Sequence, residues 1–207
     1  CTDLIASQAL RPIVWVMLVT ILTGNICVLL VNHYSEIRGG KSVKTSSGQT
    51  ILLSNLNACD LTLGIYMTIL AAYDIYYRGN YGIYEFEWRA GIPCKLAGMF
   101  SAVSSVMSTY LIGLIAFERY IKVCLSFKSK WWDKTKSLYF LISGWFISLL
   151  FSSIYLGVEM SAGRDSALSN GICIIFTYSK LSKRSFYFSV IFTGYLIIAV
   201  CFVTIVY

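Results

Sequence analysis

The chain has 207 residues, of which 57% are hydrophobic and 13% charged, and its formal net charge is +7. Soluble domains carry about 25% charged residues, so this composition excludes an ordinary soluble globular fold. The basic surplus suits anionic lipid headgroups, and no nucleic-acid partner is expected.

Five runs of 22 to 29 residues lack Lys, Arg, Asp and Glu apart from Asp60: Pro12–Ser35, Thr45–Tyr73, Leu96–Phe117, Ser137–Val158 and Ser185–Tyr207. About 20 apolar residues in a helix cross a bilayer's hydrocarbon core, and soluble helices rarely reach such length without a polar face. The pattern predicts an all-α membrane protein, one transmembrane domain over residues 1–207 with spans near 12–35, 48–73, 95–122, 137–158 and 185–207. The chain opens at Cys1 without a Met, and Leu4–Leu10 is too short and too polar for a signal peptide. It reads as an internal fragment with further sequence on both sides.

Gly24-Asn25 lies in the middle of the first span and Asp60 in the second. A carboxylate at mid-membrane depth costs several kcal/mol on insertion scales, roughly 2.5 to 3.5, and is kept where it faces a bundle interior. Ser101, Ser104, Ser105, Ser108 and Thr109 stud the third span, where small hydroxyl residues let helices approach and hydrogen-bond across the bundle. Asn25, Asp60 and Ser108 could converge on water or on a cation such as Na⁺; a hydrated cluster with structural duties alone is the other reading. No other cofactor is expected.

Between the second and third spans, Trp88-Arg-Ala-Gly91-Ile-Pro-Cys94 reads as an interfacial turn, with Trp88 at the membrane surface and Gly91 and Pro93 reversing the chain. Glu118-Arg119-Tyr120 closes the third span, Arg119 falling 25 residues after Cys94. An arginine there, poorly hydrated and beside an acid, can be held in a local ion pair with Glu118 or released to a partner, which makes a two-state element. Its bland counterpart is a snorkelling arginine that anchors a helix end. Trp145 in the fourth span reads by itself as packing, and Trp131-Trp132 suits the headgroup belt.

Sidedness comes from the cysteines. Lys plus Arg number 9 on the side holding 36–44 and 118–136 and 8 on the other, so the positive-inside count decides nothing. Cys94 and Cys173 occupy two long linkers on the second side, where an oxidising exterior would let them pair. That side is therefore read as extracellular and the Lys-rich linker 122–136 as cytoplasmic. Cys1 is a third outer cysteine; it is left for an upstream partner if Cys94 bonds Cys173, and the two other pairings stay open to the sequence.

Soluble-enzyme signatures fail. Gly40-Lys41-Ser42 lacks the glycine five residues earlier that a phosphate loop needs, since Ser35 stands there. His33 is the sole histidine, so neither a histidine-based metal site nor a Ser-His-Asp triad can be assembled from this chain. No catalysis is expected.

Together, Gly24-Asn25, Asp60, Cys94, Ser108, Glu118-Arg119-Tyr120, Trp145, Cys173 and Tyr207 resemble the rhodopsin-like class of G-protein-coupled receptors. Cys1-Thr-Asp-Leu followed by Leu10-Arg11-Pro-Ile-Val-Trp15 is similar to the receptors with leucine-rich-repeat ectodomains. Asp74-Ile-Tyr-Tyr-Arg78-Gly79-Asn-Tyr81, then Trp88 and Cys94, resembles the first outer loop of relaxin receptors and their invertebrate relatives. The resemblance implies a seven-helix bundle in the plasma membrane, of which this chain holds the first five helices. It further implies a Cys94–Cys173 bridge and a possible sodium site at Asp60. A polypeptide hormone is the implied outer partner and a heterotrimeric G protein the inner one. Glu118, Arg119, Tyr120 and Tyr207 would form the coupling switch. Two departures stand out: relaxin receptors often carry Lys where Arg119 stands, and the inner loop 36–50 is long. The rivals are a receptor for another peptide or an amine, and a transporter fragment with a helix unwound near Gly64. An amine receptor usually needs an acid in the outer half of the third span, and Leu96–Phe117 has none.

Overall fold

The structure, a computed structural model, describes residues 3–5, 9–37, 47–124, 133–161 and 171–173. Five helices follow in order: α1 (Leu10–Ile37), α2 (Ser47–Tyr76), α3 (Tyr81–Ala90), α4 (Ile92–Cys124) and α5 (Lys134–Ser161). Four of them, α1, α2, α4 and α5, are long and apolar enough to cross a membrane. In hydrocarbon no water can satisfy a backbone N–H or C=O, so a spanning segment of this composition closes its own hydrogen bonds as a helix. Hydroxyls within the spans follow the same logic: Thr20, Thr23, Thr62 and Thr68 each donate to the carbonyl four residues earlier. The fifth predicted span, 185–207, lies outside the described residues, and Tyr207 with it.

Each spanning helix overruns its predicted range by one to three residues at either end. Helices do not stop at the first charge when a long side chain can reach headgroups or a partner. The transporter expectation fails at Gly64, where α2 continues as regular helix. A Cβ added at Gly64 would meet a Leu22 methyl at 2.8 Å, so the glycine serves the close approach of α1.

α4 is the most enclosed helix, packing chiefly on α2 and also on α5 and α3, while α1 touches mainly α2 and exposes most of its length. The buried apolar residues form two clusters at opposite ends of this bundle. One gathers Leu4, Tyr66, Leu70, Tyr77, Tyr81, Trp88 and Ala97 around Cys94 and Cys173. The other gathers Leu52, Cys59, Met107, Leu111, Ile115, Ile121 and Leu141, with Trp145 packed against it. Gly144 lets α5 come close to α4, since a Cβ there would stand 2.5 Å from a Tyr110 ring carbon.

The linker between α2 and α4 corrects the expected interfacial turn. Residues 81–90 form α3, which Gly79 makes possible by taking φ +79°, a left-handed conformation that favours glycine. Trp88 is 1% exposed and belongs to the outer core rather than to the membrane surface. Gly91 ends α3 in an extended conformation and α4 begins at the next residue, with Pro93 in its first turn. A proline is tolerated there because the first-turn N–H groups lack helical partners anyway.

Candidate functional site

The outer end is a clasp built from four segments. Cys94 at the start of α4 is disulfide-bonded to Cys173, with Cα atoms 5.4 Å apart, and both are fully buried. Cys173 adopts φ +55°, an uncommon conformation for a non-glycine residue that surrounding contacts must hold. Those contacts are present: the Trp88 indole N–H donates to the Gly171 carbonyl at 2.7 Å and the Tyr66 hydroxyl to the Ile172 carbonyl at 2.9 Å. Residues 171–173 are thereby fastened to α2, α3 and α4 together.

A charged network joins the same end. Asp74, 1% exposed, accepts from Arg11 Nε at 2.7 Å and from the Ile5 backbone N–H at 3.0 Å. Arg11 also reaches Asp3 at 3.0 Å, and Asp3 accepts from the Gly79 N–H at 2.8 Å. The Gly79 N–H and the Arg11 guanidinium hold the Asp3 carboxyl below its ordinary range. This network escapes a sequence reading that counts Asp3, Arg11 and Asp74 as loop charges. The available signal was position: Arg11 and Asp74 abut the outer ends of adjacent spans, where a charge is half out of water and seeks a partner.

The mid-membrane residues come together less than expected. Asn25 donates to the Ile21 carbonyl at 2.9 Å, within its own helix. Ser108 is within hydrogen-bonding reach of the Cys59 thiol, and Ser104 donates to the Cys59 carbonyl at 2.8 Å. Asp60 is half-buried, and among the described residues no donor is hydrogen-bonded to its carboxylate. Asn25, Asp60 and Ser108 thus do not bond one another, although Ser104 and Ser108 bring α4 against the turn of α2 that carries Asp60. Trp145 is more than filler, since its indole N–H donates to Asn55 Oδ1 at 3.3 Å and ties α5 to α2.

At the inner end, Glu118 is 1% exposed and its Oε1 is bonded to Lys122, one turn on along α4. The local pair expected between Glu118 and Arg119 therefore has Lys122 as its cation; at i,i+4 two side chains share a helix face, whereas adjacent residues diverge. Glu118 Oε2 is buried and accepts no hydrogen bond among the described residues. Gly48 of α2 and Ser137 of α5 adjoin this carboxylate, since a Cβ at Gly48 would lie 2.7 Å from Ser137 Oγ and 3.5 Å from Glu118 Oε1. Arg119 and Tyr120 follow on α4, both partly exposed.

Residues 24–207 match the 7 transmembrane receptor (rhodopsin family). Among curated proteins, the chain is similar to the follicle-stimulating hormone receptors of Felis catus at 32% identity and of Homo sapiens and Mus musculus at 31%. Each match extends over 120 residues, 58% of this chain but 16% of the relative, so the chain spans a small part of those receptors. The family match takes in three of the four described spans entire and less than half of the first. The chain belongs to the rhodopsin family of seven-transmembrane receptors, multi-pass proteins of the plasma membrane and not enzymes.

Proposed function

We propose that this chain is the transmembrane part of a receptor that carries an extracellular polypeptide-hormone signal to a heterotrimeric G protein. One observation carries the reading: α4 runs from the disulfide-bonded Cys94 at one end to Glu118-Arg119-Tyr120 at the other. Ligand contacts and coupling contacts are thereby joined by a single rigid element. Relatives named as receptors for follicle-stimulating hormone support a hormone ligand. The outer-loop residues Asp74 to Tyr81 support a relaxin-receptor-like position among the leucine-rich-repeat receptors.

In this reading the hormone acts on the outer loops, braced by the disulfide, and through an ectodomain. Arg119 and Tyr120 receive the G protein at the inner end, with Tyr207 supporting the open state. Glu118 biases the switch: Lys122 occupies one oxygen, and the other is a buried acceptor without a partner among the described residues. Shifting the bundle from about 1:99 to 99:1 requires the hormone to favour the active state by about 5.5 kcal/mol. A sodium ion at Asp60, modulating that balance, is part of the proposal. What supports it is a half-buried carboxylate without a donor among the described residues, next in sequence to Cys59, whose carbonyl accepts from Ser104 of α4.

The test is Arg119→Ala in the full-length receptor. Hormone binding should persist while G-protein activation drops to background. Full signalling from that variant would refute the coupling role.

A further inference from the structure

The outer end carries a second feature that the disulfide clasp does not use. The last turn of α2, the Gly79 turn and one face of α3 enclose a pocket of about 240 Å³ lined by Tyr76, Tyr77, Asn80, Tyr84 and Glu87. Sites for drug-sized ligands run from about 300 Å³ upward, so this one suits a single side-chain head group. The buried Tyr77 ring is its floor: it stacks on Tyr84 with centroids 5.5 Å apart and meets Tyr76 edge-on at 4.9 Å. Tyr84 and Glu87 are three residues apart on α3 and so share one face.

The charges of α3 are not equivalent. Glu85 is ion-paired with Arg89 at 3.0 Å, whereas Glu87 has no ion pair among the described residues. An unpaired carboxylate beside three tyrosine rings is a site of negative potential, from the charge itself and from the ring faces. Burial first, and then the field of Glu87, raises the Tyr77 phenol above its ordinary range, so Glu87 acts at the pocket floor.

We infer that this pocket takes the cationic head of a lysine or arginine side chain presented by an extracellular polypeptide. The inference rests on the proposed function for its outward orientation only. A guanidinium or ammonium stacks on the tyrosine faces while its N–H groups donate to Glu87 and to the Asn80 carbonyl oxygen. These acceptors discriminate against the choline headgroup of a lipid, which has charge but no N–H to donate. Tyr76, 77% exposed, and Tyr84, 43% exposed, leave the mouth open to an incoming side chain.

The test uses the full-length receptor in nanodiscs free of choline lipids, with 3-fluorotyrosine at position 84 as the ¹⁹F NMR reporter. Nα-acetyl-argininamide should give a saturable shift and the neutral isostere Nα-acetyl-citrullinamide none. Glu87→Gln should weaken binding roughly tenfold, the loss of one charge-assisted contact, while Glu85→Gln leaves it unchanged. Both glutamates are solvent-accessible, so neither variant threatens folding. An equal response to citrullinamide, an equal response to tetramethylammonium, or indifference to Glu87→Gln would each overturn the assignment. None of these readouts depends on G-protein coupling, so failure here is separable from failure of the Arg119→Ala test.

Discussion

The two ends of the bundle are held by different kinds of contact. The outer end is cross-linked between parts of the chain far apart in sequence: Cys94 to Cys173 across 79 residues, Arg11 to Asp74, and Trp88 and Tyr66 to the 171–172 carbonyls. The inner charged site is held by a local contact, Glu118 to Lys122, with one buried oxygen left over among the described residues. A local pair can open without moving any helix; a long-range tie cannot. The outer end is therefore built to stay, and the Glu118–Lys122 pair at the inner end is a contact that can open.

Cutting the ties in turn sharpens this contrast. The largest effect is expected from Cys173→Ser, which frees a loop of about 79 residues and forfeits roughly 4 to 5 kcal/mol by the loop-entropy relation. Loss of properly folded receptor at the cell surface, counted with an outer-face antibody, is the readout.

Next comes Arg11→Met, which leaves the buried Asp74 without its cation. Its signature is a lower thermal midpoint of the purified receptor, rescued in part by Asp74→Asn in the same chain. No rescue would mean that Arg11 acts through packing and not through charge.

Gly144→Val drives a side chain into the Tyr110 ring and should cost about 1 to 3 kcal/mol by overpacking. The same midpoint measurement reports it, and Gly157→Val, where a Cβ would meet nothing within 4 Å, serves as the control.

The smallest effect is a pH dependence at Asp3. Its folded-state carboxyl titrates below the ordinary 3.8, so the stabilisation is present above that value and is lost as pH falls through the lower folded value. Hydrogen exchange at the Gly79 amide should be steady from pH 7 to 5, after correction for intrinsic rates, and should accelerate only below about 4. Acceleration already at pH 6 would exclude Asp3 as the group responsible.

Much of the candidate site was legible because its residues announce themselves locally. Asp60 stands out in an uncharged run, and Glu118-Arg119-Tyr120 ends a span at a fixed distance from a cysteine. Asp74, Arg11 and Asp3 were not legible as a unit, since each is an ordinary loop charge until the chain is folded. Sequence adjacency points Glu118 to Arg119, whereas helix geometry places Lys122 on the same face. Residue type alone points Trp88 to the interface; its burial comes from α3, whose leading turn depends on Gly79.

What the sequence alone determined is the four described spans and the family resemblance, because apolar length and its interruptions act residue by residue against a membrane. Only the tertiary structure decided which cysteines meet, which charges pair and which glutamate on α3 stays uncompensated. Those outcomes depend on distances between segments as many as 79 residues apart, and no local pattern encodes such a distance until the helices have packed.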